Sequence, residues 1–258
     1  MNILENILTD KRREIAGRIK VCSLEEMRER GESAPVPRGF ADALRSVPMG
    51  LIAEVKHRSP SAGVIRDPFV PSDIARAYER AGAQAVSVLM DEPYFGGGES
   101  HFREVRAAVR LPMLYKEFVV EAWQVWHARA LGASAVLLIA AALGDDEIRR
   151  LMRVSAEAHL EVLLEVHDAA EMDRALALNA NLIGINNRNL KTFETRLEHT
   201  LDLMPTVPES VTVISESGIR GPEDVVRLRS AGVAGVLVGE HLLRQKDVES
   251  AVRELMGK

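Results

Sequence analysis

Glu54 and Lys56 stand two residues apart inside the apolar run Leu51-Ile52-Ala53-Glu54-Val55-Lys56. On an extended strand, side chains two apart share a face, so this carboxylate and this ammonium lie side by side. The same alternation groups Leu114 with Lys116, and Glu161 with Leu163 and Glu165. It also groups Leu182 with Gly184 and Asn186, Thr212 with Ile214 and Glu216, and Gly235 with Leu237 and Gly239. A lone polar residue of this kind reads as a solvated strand end. Taken together, Glu54, Lys56, Lys116, Glu165, Asn186 and Glu216 read as a catalytic mouth, because a charge buried without a partner costs several kcal/mol. Converging amines and carboxylates are suited to general acid–base chemistry.

These residues need a scaffold that gathers strand ends. Apolar runs at 51–56, 84–90, 112–116, 134–139, 160–166, 181–186, 211–216 and 233–239 read as strands. Helical stretches lie between them at 71–81, 102–109, 122–131, 145–158, 169–178, 222–231 and 247–255, with a weaker one at 197–204. Gly82, Gly132 and Gly232 each follow a helical stretch directly, as helix C-caps do. Strict alternation implies a parallel sheet. The strand ends recur at intervals close to the roughly 30-residue βα unit of an eight-fold barrel. An open doubly wound sheet is the alternative, but no Gly-x-Gly-x-x-Gly follows the first run. The expected fold is an α/β (βα)8 TIM barrel, with its active site at the C-terminal ends of the strands.

Residues 2–20 repeat isoleucine and leucine at helical spacing between charges of both signs, which predicts an amphipathic helix that packs its apolar face on some other surface. A membrane-surface helix fits less well, since its polar face would be more uniformly basic. A second helix is expected around 24–30, then a loop at 31–38 containing Pro35 and Pro37. Residues 1–48 therefore read as an N-terminal helical extension of a single domain spanning 1–258.

The runs Ser215-Glu216-Ser217-Gly218-Ile219 and Leu237-Val238-Gly239-Glu240 close the seventh and eighth strands. Glycine lets backbone N–H groups approach an anion, and barrels commonly bind phosphate at these two loops. Other features carry less. The segment 91–98 reads either as a lid with an aromatic tip or as a flexible loop. The seven histidines show no metal-ligand spacing; His167, just past Glu165, could approach the mouth but reads more simply as a surface residue. Trp123 and Trp126 read as packing residues. Nothing marks a nucleotide cofactor or a Ser-His-Asp triad.

The chain has 258 residues, 47% of them hydrophobic, and a net charge of −5 with the signs interleaved. No basic block suggests a nucleic-acid or membrane surface. The single Cys22 rules out an internal disulfide and suits a reducing cytoplasm. No signal-peptide pattern or apolar run of bilayer-spanning length is present.

With these residues in hand, the sequence resembles the indole-3-glycerol phosphate synthase family. The resemblance is carried by Glu54-Val55-Lys56-His57-Arg58-Ser59-Pro60-Ser61, Tyr115-Lys116-Glu117-Phe118 and Leu163-Leu164-Glu165-Val166. It continues in Gly184-Ile185-Asn186-Asn187-Arg188-Asn189-Leu190 and Ser215-Glu216-Ser217-Gly218-Ile219. It implies a cofactor-free lyase of tryptophan biosynthesis that closes the ring of 1-(2-carboxyphenylamino)-1-deoxyribulose 5-phosphate with loss of CO₂ and water. Lys116 is then the expected acid for the ketone oxygen. Lys56 and Glu165 are expected to serve the dehydration, with Glu54 as the alternative base, while Asn186 and Glu216 position hydroxyl groups and lysines. Arg188 is expected to take the substrate carboxylate. Ser59 and Pro60 would line the substrate site, and Phe95, Phe118, Leu137, Leu190 and Leu237 would pack on the aromatic ring. Ser217, Gly218, Gly239 and Glu240 would hold the phosphate. The implied partner is one phosphorylated small molecule, with the chain a monomer or weak homo-oligomer.

Some positions depart from the family pattern: Glu117 replaces an Asp, Met90 a Thr, Gly98 a Ser and Glu240 a small Ser, and Asn189 also varies. None removes an expected acid or base. Three rival readings remain: a Schiff-base lyase using a barrel lysine, the neighbouring pathway isomerase, and a non-catalytic phosphate sensor. The isomerase would be expected to use a Cys and Asp pair, whereas Cys22 lies in the extension.

Overall fold

β-branched and aliphatic residues fill the eight runs, and each run pairs with the next in parallel until the last closes on the first. The strands of this barrel, seen in a computed structural model that describes residues 3–189 and 194–258, are β1 (Gly50–Val55), β2 (Ala85–Leu89), β3 (Met113–Lys116) and β4 (Ala135–Ile139). They continue as β5 (Glu161–Val166), β6 (Leu182–Asn186), β7 (Thr212–Glu216) and β8 (Gly235–Val238). β8 pairs with β1 through Gly50↔Gly235 to Ala53↔Val238. The expected helices all form. The one expected at 102–109 begins earlier, at Glu99, and the weak stretch at 197–204 becomes Glu198–Leu203 followed by a short 3₁₀ turn.

The alternation places the side chains as expected. Ile52, Ala85, Leu114, Leu163, Leu182, Ile214 and Leu237 fill the barrel interior. Barrel interiors stack in layers drawn from alternate strands. Ile52, Leu114, Leu163 and Ile214, from the odd-numbered strands, form one such apolar layer. Two residues further along those strands stand Glu54, Lys116, Glu165 and Glu216. The next odd-strand layer is therefore made entirely of ionisable groups.

The extension is built from α1 (Ile3–Val21), α2 (Leu24–Glu32) and α3 (Phe40–Arg45). A capping box starts α2: the Glu26 N–H donates to Ser23 Oγ at 3.2 Å, and the Ser23 N–H donates to Glu26 Oε2 at 2.7 Å. α2 packs on the helix Ala122–Ala130. There Trp126 lies so close to Gly31 that a Cβ would sit 2.8 Å from its ring, and Trp123 Nε1 donates to the Cys22 carbonyl at 2.8 Å. Both tryptophans are thus packing residues. α3, not foreseen in the sequence, plugs the end of the barrel opposite the mouth with Phe40 and Leu44, both fully buried. Its first N–H groups, on Phe40 and Ala41, donate to the Glu161 carboxylate at 2.5 and 3.1 Å. Glu161 shares a strand face with Glu165, yet one anchors the floor and the other faces the mouth.

Candidate active site

A cavity of about 430 Å³ opens at the C-terminal ends of the strands. Its walls include Glu54, Lys56, Lys116, Glu165, Asn186 and Glu216, together with Ser59, Pro60, Phe95, Phe118, Leu137, Arg188, Ser217, Gly218, Leu237, Gly239 and Glu240. Leu190, expected to pack on the ring, lies outside the described residues.

Lys116 is the hub. Its Nζ lies 2.8 Å from Glu216 Oε2, 3.7 Å from Glu165 Oε2 and 3.8 Å from Glu54 Oε1. Lys56 Nζ reaches the other oxygen of Glu54 at 2.5 Å, so one carboxylate bridges the two amines. Glycines on the even strands make room for this layer. A Cβ on Gly184 would lie 2.2 Å from Glu216 Oε1, and one on Gly239 would lie 2.6 Å from Glu54 Oε2. Gly184→Ala should therefore push Glu216 off Lys116, lowering kcat at least about tenfold with little change in KM, read by steady-state kinetics. An unchanged kcat would show that the Lys116–Glu216 contact does not matter to turnover.

Burial and charge compete at each of these groups. Burial alone would lower the Lys116 pKa, but Glu216, Glu165 and Glu54 outweigh it and raise it well above the ordinary lysine value. Burial pushes Glu54 up, yet Lys56 and Lys116 hold it below the usual carboxylate range. Glu165 is also pushed up by burial, but contacts with His167 and Lys116 bring it down to about 2. Glu216 goes the other way. Burial, with Glu165 and Glu54 nearby, raises it to about 7 despite Lys116, and its Oε1 has no hydrogen-bond partner among the described residues. Two glutamates are thus fixed as anions, and the third holds a proton near neutrality.

The phosphate-side loops have the backbone that their sequence suggests. Ser217 and Gly218 both adopt positive φ, +66° and +81°, and turn the chain sharply after β7. Glu240 is engaged by Arg244 at 2.8 Å and faces Arg188 at 4.0 Å, so its charge is offset where an anion would approach. Arg188 also reaches Ser61 Oγ at 3.4 Å. The segment after β2 is a capped helical turn, Glu92–Phe95, rather than an irregular loop. Asp91 accepts from the Tyr94 N–H at 2.8 Å, and Phe95 faces Phe118 with ring centroids 6.1 Å apart.

Two features were not read from the sequence. The first turns of α1 bring Ile3, Leu4 and Ile7 into the cavity wall. His167, expected at the surface, is instead largely buried, with Nε2 3.2 Å from Glu165 Oε1. The alternation that placed residues 161, 163 and 165 on one face extends to 167, so a signal was there. Among the described residues no group of three or more His, Cys, Asp or Glu side chains is arranged to hold a metal ion. No helix among them is long and apolar enough to cross a membrane.

A model of the indole-3-glycerol phosphate synthase family matches residues 4–255. Curated relatives of that name include a Polaromonas protein, 46% identical over 260 residues covering 99% of this chain and 98% of the relative. One from Neisseria meningitidis serogroup B is also 46% identical, covering 98% and 99% respectively. One from Acidithiobacillus ferrooxidans is 45% identical over 258 residues, covering 98% of each. Among solved structures, a thiamine phosphate pyrophosphorylase from Pyrococcus furiosus aligns with a TM-score of 0.62 at 17% identity. That alignment covers 83% of this chain and 96% of the other, and at this identity it shows the barrel fold alone.

Proposed function

The chain belongs to the indole-3-glycerol phosphate synthase family, and on that premise we propose how its own residues carry out the family's ring closure. The enzyme converts 1-(2-carboxyphenylamino)-1-deoxyribulose 5-phosphate to indole-3-glycerol phosphate, CO₂ and water. One observation carries the assignment of roles: Lys116 Nζ sits among three carboxylates of unequal proton affinity.

The carboxylate-bearing ring carbon attacks the ketone carbon, and Lys116 donates a proton to the ketone oxygen as it becomes a hydroxyl. CO₂ then leaves, and its bonding pair restores the aromatic ring. In the last step the hydroxyl departs as water after gaining a second proton, while a base takes a proton from the neighbouring CH₂. The sequence thus needs two protons delivered and one removed. Lys116 supplies the first, and protonated Glu216, at 2.8 Å, recharges it only after the dehydration. Lys56 protonates the departing hydroxyl, held in place by Glu54. Glu165 is the base. It is ionised in the resting site, and loss of the Lys116 proton removes one of its two cationic neighbours, which strengthens it as a base when that is needed. Asn186 orients the hydroxyl.

Phe95, Phe118, Leu137 and Leu237 hold the aromatic ring; Leu190, expected to join them, lies outside the described residues. Ser59 and Pro60 border it. Arg188 takes the substrate carboxylate, for which a guanidinium offers two parallel donors. The phosphate meets backbone N–H groups of Ser217, Gly218, Gly239 and Glu240, with Arg220 and Arg244 close by.

A Schiff-base mechanism needs a lysine that gives up its proton readily. Lys116 is held as an ammonium, which supports the acid role. A sensor would need the anion cradle but not the layer of acids and bases. Purified protein should release indole fluorescence from the carboxyphenylamino sugar phosphate without added metal. Binding of that compound with no turnover would overturn the reading.

A further inference from the structure

The imidazole of His167 lies just beyond β5 between two carboxylates. Nε2 faces Glu165 Oε1 at 3.2 Å, out of line for a hydrogen bond, and Nδ1 lies 3.2 Å from Glu171 Oε2. Glu171, in the first turn of the helix Ala169–Ala177, also accepts from the His167 N–H at 2.8 Å, so one carboxylate fixes both the ring and its backbone. From the helix Glu198–Leu203, His199 Nε2 sits 2.6 Å from the His167 carbonyl oxygen. On its far side Glu165 meets Lys116 at 3.7 Å. Glu165 therefore sits between two cationic groups of different origin. Lys116 surrenders its charge during the reaction as read above, whereas His167 stands behind Glu165 and does not itself line the cavity.

We propose that His167 is a positioning residue for the ring closure: its imidazolium, clamped by Glu171, keeps Glu165 ionised and aimed at the mouth when Lys116 has given up its proton. The inference rests on the assignment of Glu165 as the base. Burial opposes charge on His167, but the two glutamates overcome it and raise its pKa to about 10, so the ring stays charged across the neutral range. A neutral ring there would leave the buried Glu165 with only the Lys116 charge, which is the one the chemistry consumes.

The test is His167→Gln, which keeps a polar side chain and removes the charge. An opposite charge within a few ångströms typically shifts a carboxylate by about 1–3 pH units. The acidic limb of kcat/KM should therefore move up by about one unit or more. From about 2, this places Glu165 at about 3–5, so activity should fall by up to about tenfold near pH 4 and recover to within about threefold of wild type near pH 7. In a Glu165→Gln background the same change should leave the shape of the profile unaltered. A loss that is uniform across pH would assign His167 a structural role only and overturn the proposal. Should His167→Gln fail to fold, Glu171→Gln removes the charge that clamps the ring and should shift the limb in the same direction by less. ¹³C titration of the Glu165 carboxyl, wild type against variant, reads the same effect without turnover. If wild type forms no indole product, the functional reading fails while this titration still decides the role of His167.

Discussion

Lys116→Ala is expected to lower kcat by about 10²–10⁴-fold, the usual contribution of a general acid, with the barrel still folded. The fold should survive because of how the surrounding charges respond. Removing the ammonium leaves Glu54, Glu165 and Glu216 facing one another, and a buried charge stripped of its partner ordinarily costs about 3–5 kcal/mol. Here Glu216 already takes up its proton at about 7, and without Lys116 it does so more readily. Glu54 keeps Lys56, and Glu165 keeps His167. Circular dichroism and urea unfolding at pH 6 should report a folded variant, and the indole fluorescence assay should report the loss. Retention of more than about a tenth of wild-type kcat would remove Lys116 as the principal acid. Borohydride treatment of the wild type with substrate should leave Lys116 unlabelled; a covalent adduct would favour the imine route.

The inner faces of the strands were legible because a two-residue period is a local property. Once β1, β3, β5 and β7 were placed, Glu54, Lys116, Glu165 and Glu216 had to meet, since barrel closure puts alternate strands at one level. The glycines were legible only in part. Gly218 and Gly239 follow strand ends, where close approach to an anion is a general expectation, whereas the reason for Gly184 is the Glu216 carboxylate on the neighbouring strand. Glu161 looked like Glu165 until α3 arrived beneath it. What stayed out of reach depends on the docking of segments distant in sequence. The amphipathic pattern of α1 says that it packs, but not that it covers the mouth or that its buried side includes a lysine. His167 differs: its parity points inward, although it lies past the end of the apolar run.

That buried lysine is Lys11, and Lys11→Met is expected to destabilise the protein by about 3–5 kcal/mol. Lys11 is 2% exposed. Its Nζ contacts Glu14 at 2.8 Å, Asp91 at 3.0 Å and Glu117 at 3.0 Å. One ammonium from α1 thereby joins the segment after β2 to the residue that follows Lys116. Met fills the space but leaves Asp91 and Glu117 buried beside each other. The sign of the pH dependence follows from Glu117. Burial, against the opposing pull of Lys11, raises its pKa from the ordinary 4.5 to about 7. A carboxyl whose folded pKa lies above its unfolded one binds more protons when folded, so its stabilising share is present below about pH 4.5 and lost as pH rises toward 7. Without Lys11 the folded pKa of Glu117 climbs further, and the loss extends to higher pH. The stability difference between wild type and variant, from urea unfolding, should therefore be larger at pH 8 than at pH 5. Equal differences at the two pH values would show that Lys11 acts by packing alone. Because Tyr94 also donates to Asp10 of α1 at 2.7 Å, the helix keeps a second tether. The variant should consequently remain folded at pH 5, with KM raised as Ile3, Leu4 and Ile7 loosen from the cavity wall.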